Sequence, residues 1–222
     1  MTVPRTRIKI CGMTRPDDVR AAVACGADAV GLVFYPKSAR LVSVAQARAL
    51  RQAVPAFVSA VTLFVDPTVD DVDQVIEQVR PDLLQFHGNE TPAFCRQFAR
   101  RYIRAFRVGA PGLDTPSGLL AECLRYGDAA GWLFDSYSSG YGGSGRSFDT
   151  TLLSAVLACA EARPVILAGG LSASTLDAAL DAVHPFAVDV SSGVEASPGI
   201  KSKERIAAFV AGVRDHDDRH AA

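Results

Sequence analysis

No feature constrains the fold of this chain more than a regular alternation of short apolar runs with capped amphipathic stretches, sustained along nearly its whole length. The apolar runs are Arg7–Cys11, Ala29–Phe34, 57–65, Leu83–Phe86, Tyr102–Val108, 132–134, 164–168 and 186–190. Most lack polar alternation, as strands covered on both faces do. Between them lie helical stretches at about 16–25, 43–53, 68–79, 92–100, 119–124, 151–159, 174–183 and 203–213. Pro16 and Pro92 open two of these, Ser43, Thr68 and Ser174 cap three, and Gly26 closes the first. Strict strand-then-helix order implies a parallel sheet. Eight such units without a linker fit a single-domain α/β (β/α)8 TIM barrel better than a doubly wound sheet, which would leave about a third of the chain over. The barrel is expected over 1–214, with 215–222 as a polar C-terminal tail that frays.

Hydrophobic residues make up 49% of the 222 positions and charged residues 21%, enough apolar material for a sizeable core. A net charge of −1 without a basic block predicts no nucleic-acid partner and no membrane-surface helix. No apolar run reaches the length of a membrane span, and the N-terminus lacks the apolar core of a signal peptide, so a cytoplasmic protein is expected. Five cysteines, odd in number and without a C-x-x-C pair, argue against a disulfide framework or a zinc site. His184, His216 and His220 show no ligand spacing with carboxylates and are read as surface residues. No metal or cofactor is expected.

Barrel enzymes collect their chemistry at the carboxyl ends of the strands. There this sequence places Cys11, Arg40, His87, Asp135, Gly169, Gly170 and the run Asp189 to Gly193, while the strand interiors are Val, Ile, Leu and Ala. Polar scatter does not sort itself to one end of a barrel, and the sorting points to an enzyme. In the first strand, period two puts Lys9 and Cys11 on one face. A nearby ammonium favours thiolate; equally, Cys11 could be a small buried hydrophobe with Lys9 reaching to water. Asp135 stands obliquely across the mouth, where a thiol and a carboxyl could act as base and acid on one small molecule; it could also simply order a loop. The glycine turns after strands seven and eight, Gly169, Gly170, Ser192 and Gly193, suit phosphate, because glycine lets backbone N–H groups approach an anion closely. The loop from Gly140 to Ser147 satisfies G-x-G-x-x-G and nearly a phosphate-loop pattern, but it follows the sixth strand and opens no clear helix. A lid beside the phosphate site fits it better.

Several ordered blocks together carry a resemblance: Lys9 to Thr14, Gly31 to Arg40, Leu84 to Glu90, Gly142 to Gly145, Leu167 to Leu171 and Val188 to Glu195. Across nearly its whole length the chain resembles the phosphoribosylanthranilate isomerase family of tryptophan biosynthesis. It departs at Met13, where leucine is frequent, Ala39, where proline is usual, and Arg146, where lysine is common. The resemblance implies an Amadori rearrangement of N-(5-phosphoribosyl)anthranilate to the carboxyphenylamino-deoxyribulose phosphate, without metal or cofactor. It implies Asp135 as general acid, kept protonated by partial desolvation in the mouth, and Cys11 as general base; Lys9, on the thiol's own face of the strand, is expected beside the substrate and in support of the thiolate. Arg40 would pair with the anthranilate carboxylate, Asp189 would hold a ribose hydroxyl or the amine, and His87 would lie near the sugar. Gly143, Ser144, Gly145, Gly169, Gly170, Ser192 and Gly193 would cradle the phosphate. The expected partner is a small phosphosugar, with the chain a monomer or homodimer. Two alternatives stand beside this reading: another phosphosugar-acting barrel enzyme such as an epimerase, and a non-catalytic phosphosugar-binding barrel.

Overall fold

The computed structural model describes residues 5–137 and 147–220. Eight parallel strands close into a barrel in sequence order, β1 pairing with β2 and, around the circle, with β8. They are β1 (Arg7–Cys11), β2 (Ala29–Phe34), β3 (Ser59–Phe64), β4 (Leu83–Phe86), β5 (Tyr102–Val108), β6 (Gly131–Ser136), β7 (Val165–Leu167) and β8 (Ala187–Val190). The helices between and after them are α1 (Pro16–Ala24), α2 (Val44–Gln52), α3 (Val69–Val79), α4 (Pro92–Arg96), α5 (Pro116–Leu124), α6 (Ser154–Leu157), α7 (Leu176–Val183) and α8 (Lys203–His220). A small hairpin, β9 (Glu195–Ser197) with β10 (Ile200–Lys201), interrupts the connection from β8 to α8. The TIM-barrel expectation therefore holds. Among the described residues no helix is long and apolar enough to cross a membrane.

Local chemistry explains the element ends. In α2 the Ser43 hydroxyl accepts from the Gln46 N–H (3.2 Å) while Gln46 Oε1 accepts from the Ser43 N–H (2.9 Å). Thr68 and Asp71 build the same reciprocal cap on α3. Strand β3 begins at Ser59 rather than 57, because Phe57 adopts φ +68° and is fully exposed. Helix α4 stops at Arg96, short of the expected 100, where Ala99 turns left-handed at φ +49°. Helix α5 starts earlier than expected, since Thr115 caps it and Pro116 occupies the first turn. The stretch expected at 151–159 is a 3₁₀ turn, Thr150–Leu153, running into the short α6.

The C-terminal expectation is corrected. Residues 215–220 do not fray; they continue α8 to His220. The Thr6 N–H and hydroxyl both donate to Asp217, at 2.9 and 2.7 Å, and Arg214 Nη1 donates to the Thr6 carbonyl at 2.8 Å. The last helix is thereby tied to the entry of the first strand.

Strand residues of one parity pack outward beneath the helices. Ile8 and Ile10 share that shell with Val19, Phe209 and the row Phe34, Phe64 and Phe86. Register aligns these three phenylalanines on adjacent strands, with ring centroids 5.6 and 6.1 Å apart. The other parity fills the barrel in two apolar layers. Val61, Ile103, Leu133, Ile166 and Ala187 form one. Cys11, Val33, Leu63 and Val65 form the other, toward the carboxyl ends.

Candidate active site

At the carboxyl ends of the strands a cleft opens with about 720 Å³ of empty space, its open mouth included. Its walls carry Cys11, Arg40, His87, Asp135, Asp189, Gly169, Gly170 and Ser192, with Tyr35, Ser38, Ser136 and Ser191 between them. An apolar side is made by Val33, Leu63 and Val65. Of the residues singled out in the sequence, two stand outside these walls. Lys9 lies below the cleft, and Gly193 lies behind it: a Cβ there would meet the Leu171 carbonyl oxygen at 2.0 Å. Gly193 thus lets the loops after β7 and β8 lie against each other. Gly143, Ser144 and Gly145 lie outside the described residues.

Cys11 ends β1, and only 5% of it is exposed. Its Sγ occupies room left by Gly31 on the paired strand, where an added Cβ would come within 2.6 Å of the sulfur. Burial pushes the thiol pKa above its ordinary value; Lys9 and Lys201 pull the other way without reversing it. Lys9 thus favours the thiolate, as its place on the same strand face suggests, but burial outweighs it. The Lys9 ammonium is shared: it bonds the neighbouring Cys11 thiol, and Nζ donates to Asp189 Oδ2 at 2.9 Å, both side chains being buried. Burial disfavours that ammonium, but Asp189 and the neighbouring thiol outweigh it and leave the lysine pKa raised. The pair bridges β1 and β8, in which Lys9 and Asp189 stand in register.

Asp135 projects from the end of β6. Its Oδ1 accepts from the Ser136 N–H at 2.8 Å, and its Oδ2 lies 3.4 Å from His87 Nε2. That separation lacks the alignment of a hydrogen bond, so Nε2 has no bonded partner among the described residues. With the Gln85 amide oriented to donate to Nδ1, at 3.4 Å, the imidazole hydrogen sits on Nε2 and faces Asp135. Gly169 follows β7 at φ +78°, where a side chain would be strained, and a Cβ would meet the Ser136 nitrogen at 2.7 Å and Asp135 Oδ1 at 3.1 Å. Glycine at 169 lets the β7 loop press against the carboxylate.

Arg40 does not face the cleft with an empty fork. Nε and Nη2 donate to the two carboxylate oxygens of Glu195, each at 2.7 Å, leaving Nη1 outside that pair. Lys201 Nζ donates to Glu195 Oε1 at 2.9 Å and to the Ser191 carbonyl at 3.1 Å. Burial raises the Glu195 pKa, but Arg40 and Lys201 outweigh it and hold the carboxyl below its usual value. Burial likewise lowers that of Lys201, in spite of Glu195. The Ser191 hydroxyl donates to the Cys11 carbonyl at 3.0 Å, so the network reaches the end of β1. The sequence places Ser191 among the strand-end groups without a role, and does not single out Glu195 or Lys201 as site residues. A signal was present: Pro198-Gly199 reads as a hairpin turn, and Glu195 and Lys201 flank it as a cross-strand charge pair.

The model of the N-(5'phosphoribosyl)anthranilate (PRA) isomerase family matches residues 8–212. An N-(5'-phosphoribosyl)anthranilate isomerase of Bordetella petrii is 58% identical over 97% of this chain and 98% of its own length. One of Halorhodospira halophila is 51% identical over 96% and 99%. Among solved structures, phosphoribosyl anthranilate isomerase from Thermotoga maritima superposes with a TM-score of 0.84 at 37% identity, over 95% of this chain and 99% of that one. Another crystal structure of phosphoribosyl anthranilate isomerase, in complex with reduced 1-(o-carboxyphenylamino)-1-deoxyribulose 5-phosphate, gives a TM-score of 0.81 at 35% identity over the same shares.

Proposed function

Since this chain belongs to the N-(5'-phosphoribosyl)anthranilate isomerase family, we propose that it performs that isomerisation with Cys11 as general base and Asp135 as general acid. The activity is that of an isomerase of tryptophan biosynthesis; what is proposed is how these residues divide the work. The observation behind the assignment is that a thiol and a carboxyl group open into one cleft, with the loops after β7 and β8 forming the wall between them. Those loops, with Gly169, Gly170 and Ser192, receive the phosphate. The apolar side of Val33, Leu63 and Val65 receives the anthranilate ring, and Arg40 offers Nη1 to its carboxylate while Glu195 holds the rest of the guanidinium in plane.

The reaction starts when Asp135 gives a proton to the furanose ring oxygen. The bond from that oxygen to C1′ breaks, and the nitrogen lone pair forms a C1′=N iminium. Oδ1 is engaged by the backbone, so Oδ2 is the oxygen that carries the proton, and His87 positions it. Cys11, as thiolate, then removes the proton on C2′. The electrons of that C–H bond form C1′=C2′ and neutralise the iminium, giving an enolamine. Loss of the C2′ hydroxyl proton and protonation of C1′ give the ketone. The atoms rearrange without an external oxidant or reductant. Asp189, anchored by Lys9, orients the C2′ hydroxyl or the amine.

Purified protein mixed with N-(5-phosphoribosyl)anthranilate should abolish the substrate's fluorescence as it turns over. Cys11→Ala and Asp135→Asn should each lower kcat by about 10²–10⁴, the usual worth of a general acid or base, with substrate binding retained. A rate near wild type in either variant would remove that residue from its role.

A further inference from the structure

At the opposite end of the barrel, three of the four histidines of the chain lie close together. His184 ends α7, and its ring centroid is 6.3 Å from that of His220. His216 and His220 stand one turn apart on α8 with their rings stacked, 4.2 Å between centroids. His216 is not the surface residue expected from the sequence; it is buried. Its Nε2 lies 2.9 Å from Asp181 Oδ1 on the neighbouring α7, and His220 Nε2 lies 3.7 Å from the same oxygen. Asp181, His216 and His220 each offer a ligand atom, all within 4.8 Å of one another. Thr6, Arg7 and Phe186 beside them mark this as the end where β1 and β8 begin.

We propose that Asp181, His216 and His220 form a binding site for a divalent transition metal ion such as Zn²⁺, which clamps α7 to α8 at the amino-terminal face of the barrel. Histidines one helical turn apart present two imidazoles to a common point, and a carboxylate from a second element completes three protein ligands. Ligands about 2.0–2.2 Å from a tetrahedral ion stand roughly 3.3–3.6 Å apart; the two separations from Asp181 Oδ1, 2.9 and 3.7 Å, bracket that value, and with all three ligand atoms within 4.8 Å of one another an ion has only to draw the imidazoles together. The geometry of His220 is the more telling. Its Nδ1 lies 2.9 Å from the His216 carbonyl oxygen, so the hydrogen sits on Nδ1 and the Nε2 lone pair turns toward the site. Metal-binding histidines are typically oriented by such a bond. In the absence of an ion, a proton occupies the place between His216 Nε2 and Asp181 Oδ1; the metal takes that place. Asp181 and His220 are exposed, which leaves the fourth position to water. At this face of a barrel such an ion serves stability and leaves the chemistry at the other end alone.

Untagged full-length protein is titrated with Zn²⁺ by calorimetry, alongside His220→Ala and Asp181→Asn, which leave buried His216 in place. One ion per chain is expected for wild type. Affinity should fall at least tenfold in His220→Ala and several-fold in Asp181→Asn. Zn²⁺ should raise the melting temperature of wild type by several degrees and leave that of His220→Ala unmoved, because only an ion bound to the folded state stabilises it. Isomerase activity should be the same in both variants as in wild type. Equal Zn²⁺ affinity in wild type and His220→Ala would overturn the proposal. So would loss of isomerase activity in step with Zn²⁺ binding, which would locate the ion at Cys11.

Discussion

At the scale of single residues the site depends on how Cys11 is housed. Its sulfur fills a space that exists because residue 31 has no side chain, and the thiol is buried enough to resist ionisation. Gly31→Ala would place a methyl group 2.6 Å from that sulfur. The variant should therefore lose kcat by tenfold or more while folding, since a small displacement of a reacting group is costly; circular dichroism and turnover measured together test this. The raised thiol pKa sets the pH dependence. A base whose folded pKa stands above its ordinary 9.0 is protonated at neutral pH, so the ultraviolet thiolate absorbance that wild type has and Cys11→Ala lacks should climb as pH rises and should not level off below pH 9. A plateau by pH 7 would show that Lys9 and Lys201 overcome burial after all.

At the scale of elements, the two ends of the chain hold each other. Helix α8 is bound to Thr6 through Asp217 and Arg214, and it contributes Phe209 and Val213 to the core. Ending the chain after Arg214 removes Asp217 and buried His216, and should lower stability by about 1–3 kcal/mol, the cost of one unsatisfied buried group, read in urea unfolding. This is where the sequence was least legible. Residues 215–220 are almost wholly polar and carry no apolar stripe, so hydrophobic period could not reveal that they are helical. Their order comes from hydrogen bonds to Thr6, 211 positions away from Asp217, and to Asp177 and Asp181 on α7. The strands were legible because both faces are covered, and Cys11 and Asp135 because strand ends could be counted. The partners of those groups were not. Lys9 could be placed beside Cys11 by period two, but that it serves Asp189 follows only from closure of β1 on β8. Arg40 could be expected at a carboxylate, but that Glu195 occupies its fork depends on a hairpin that interrupts the strand-helix rhythm.

At the scale of the whole molecule, buried charge is concentrated on the catalytic side and is mostly paired. Glu195, between Arg40 and Lys201, illustrates the consequence for acid stability. Its folded pKa lies below the ordinary 4.5. The stability it contributes is thus fully present above that value and is lost as pH falls toward the folded pKa. Wild type should lose melting temperature on acidification below about pH 4.5. Glu195→Gln should start lower, because Lys201 is left buried without a counter-charge, on the order of 3–5 kcal/mol, and should respond less to pH over that interval. Parallel acid transitions of the two proteins would refute the assignment.

The Lys9–Asp189 bridge has a further meaning for how the enzyme comes into being. It joins the first strand to the last, and Ser191, Glu195 and Lys201 follow immediately after. Lys9 and Cys11 are synthesised 180 residues before Asp189, the carboxylate that anchors the lysine, and Ser191, through which the network reaches the Cys11 carbonyl. Domains fold during translation from the N-terminus onward, but no partial product of this chain assembles the site. Catalysis begins only when the barrel has closed.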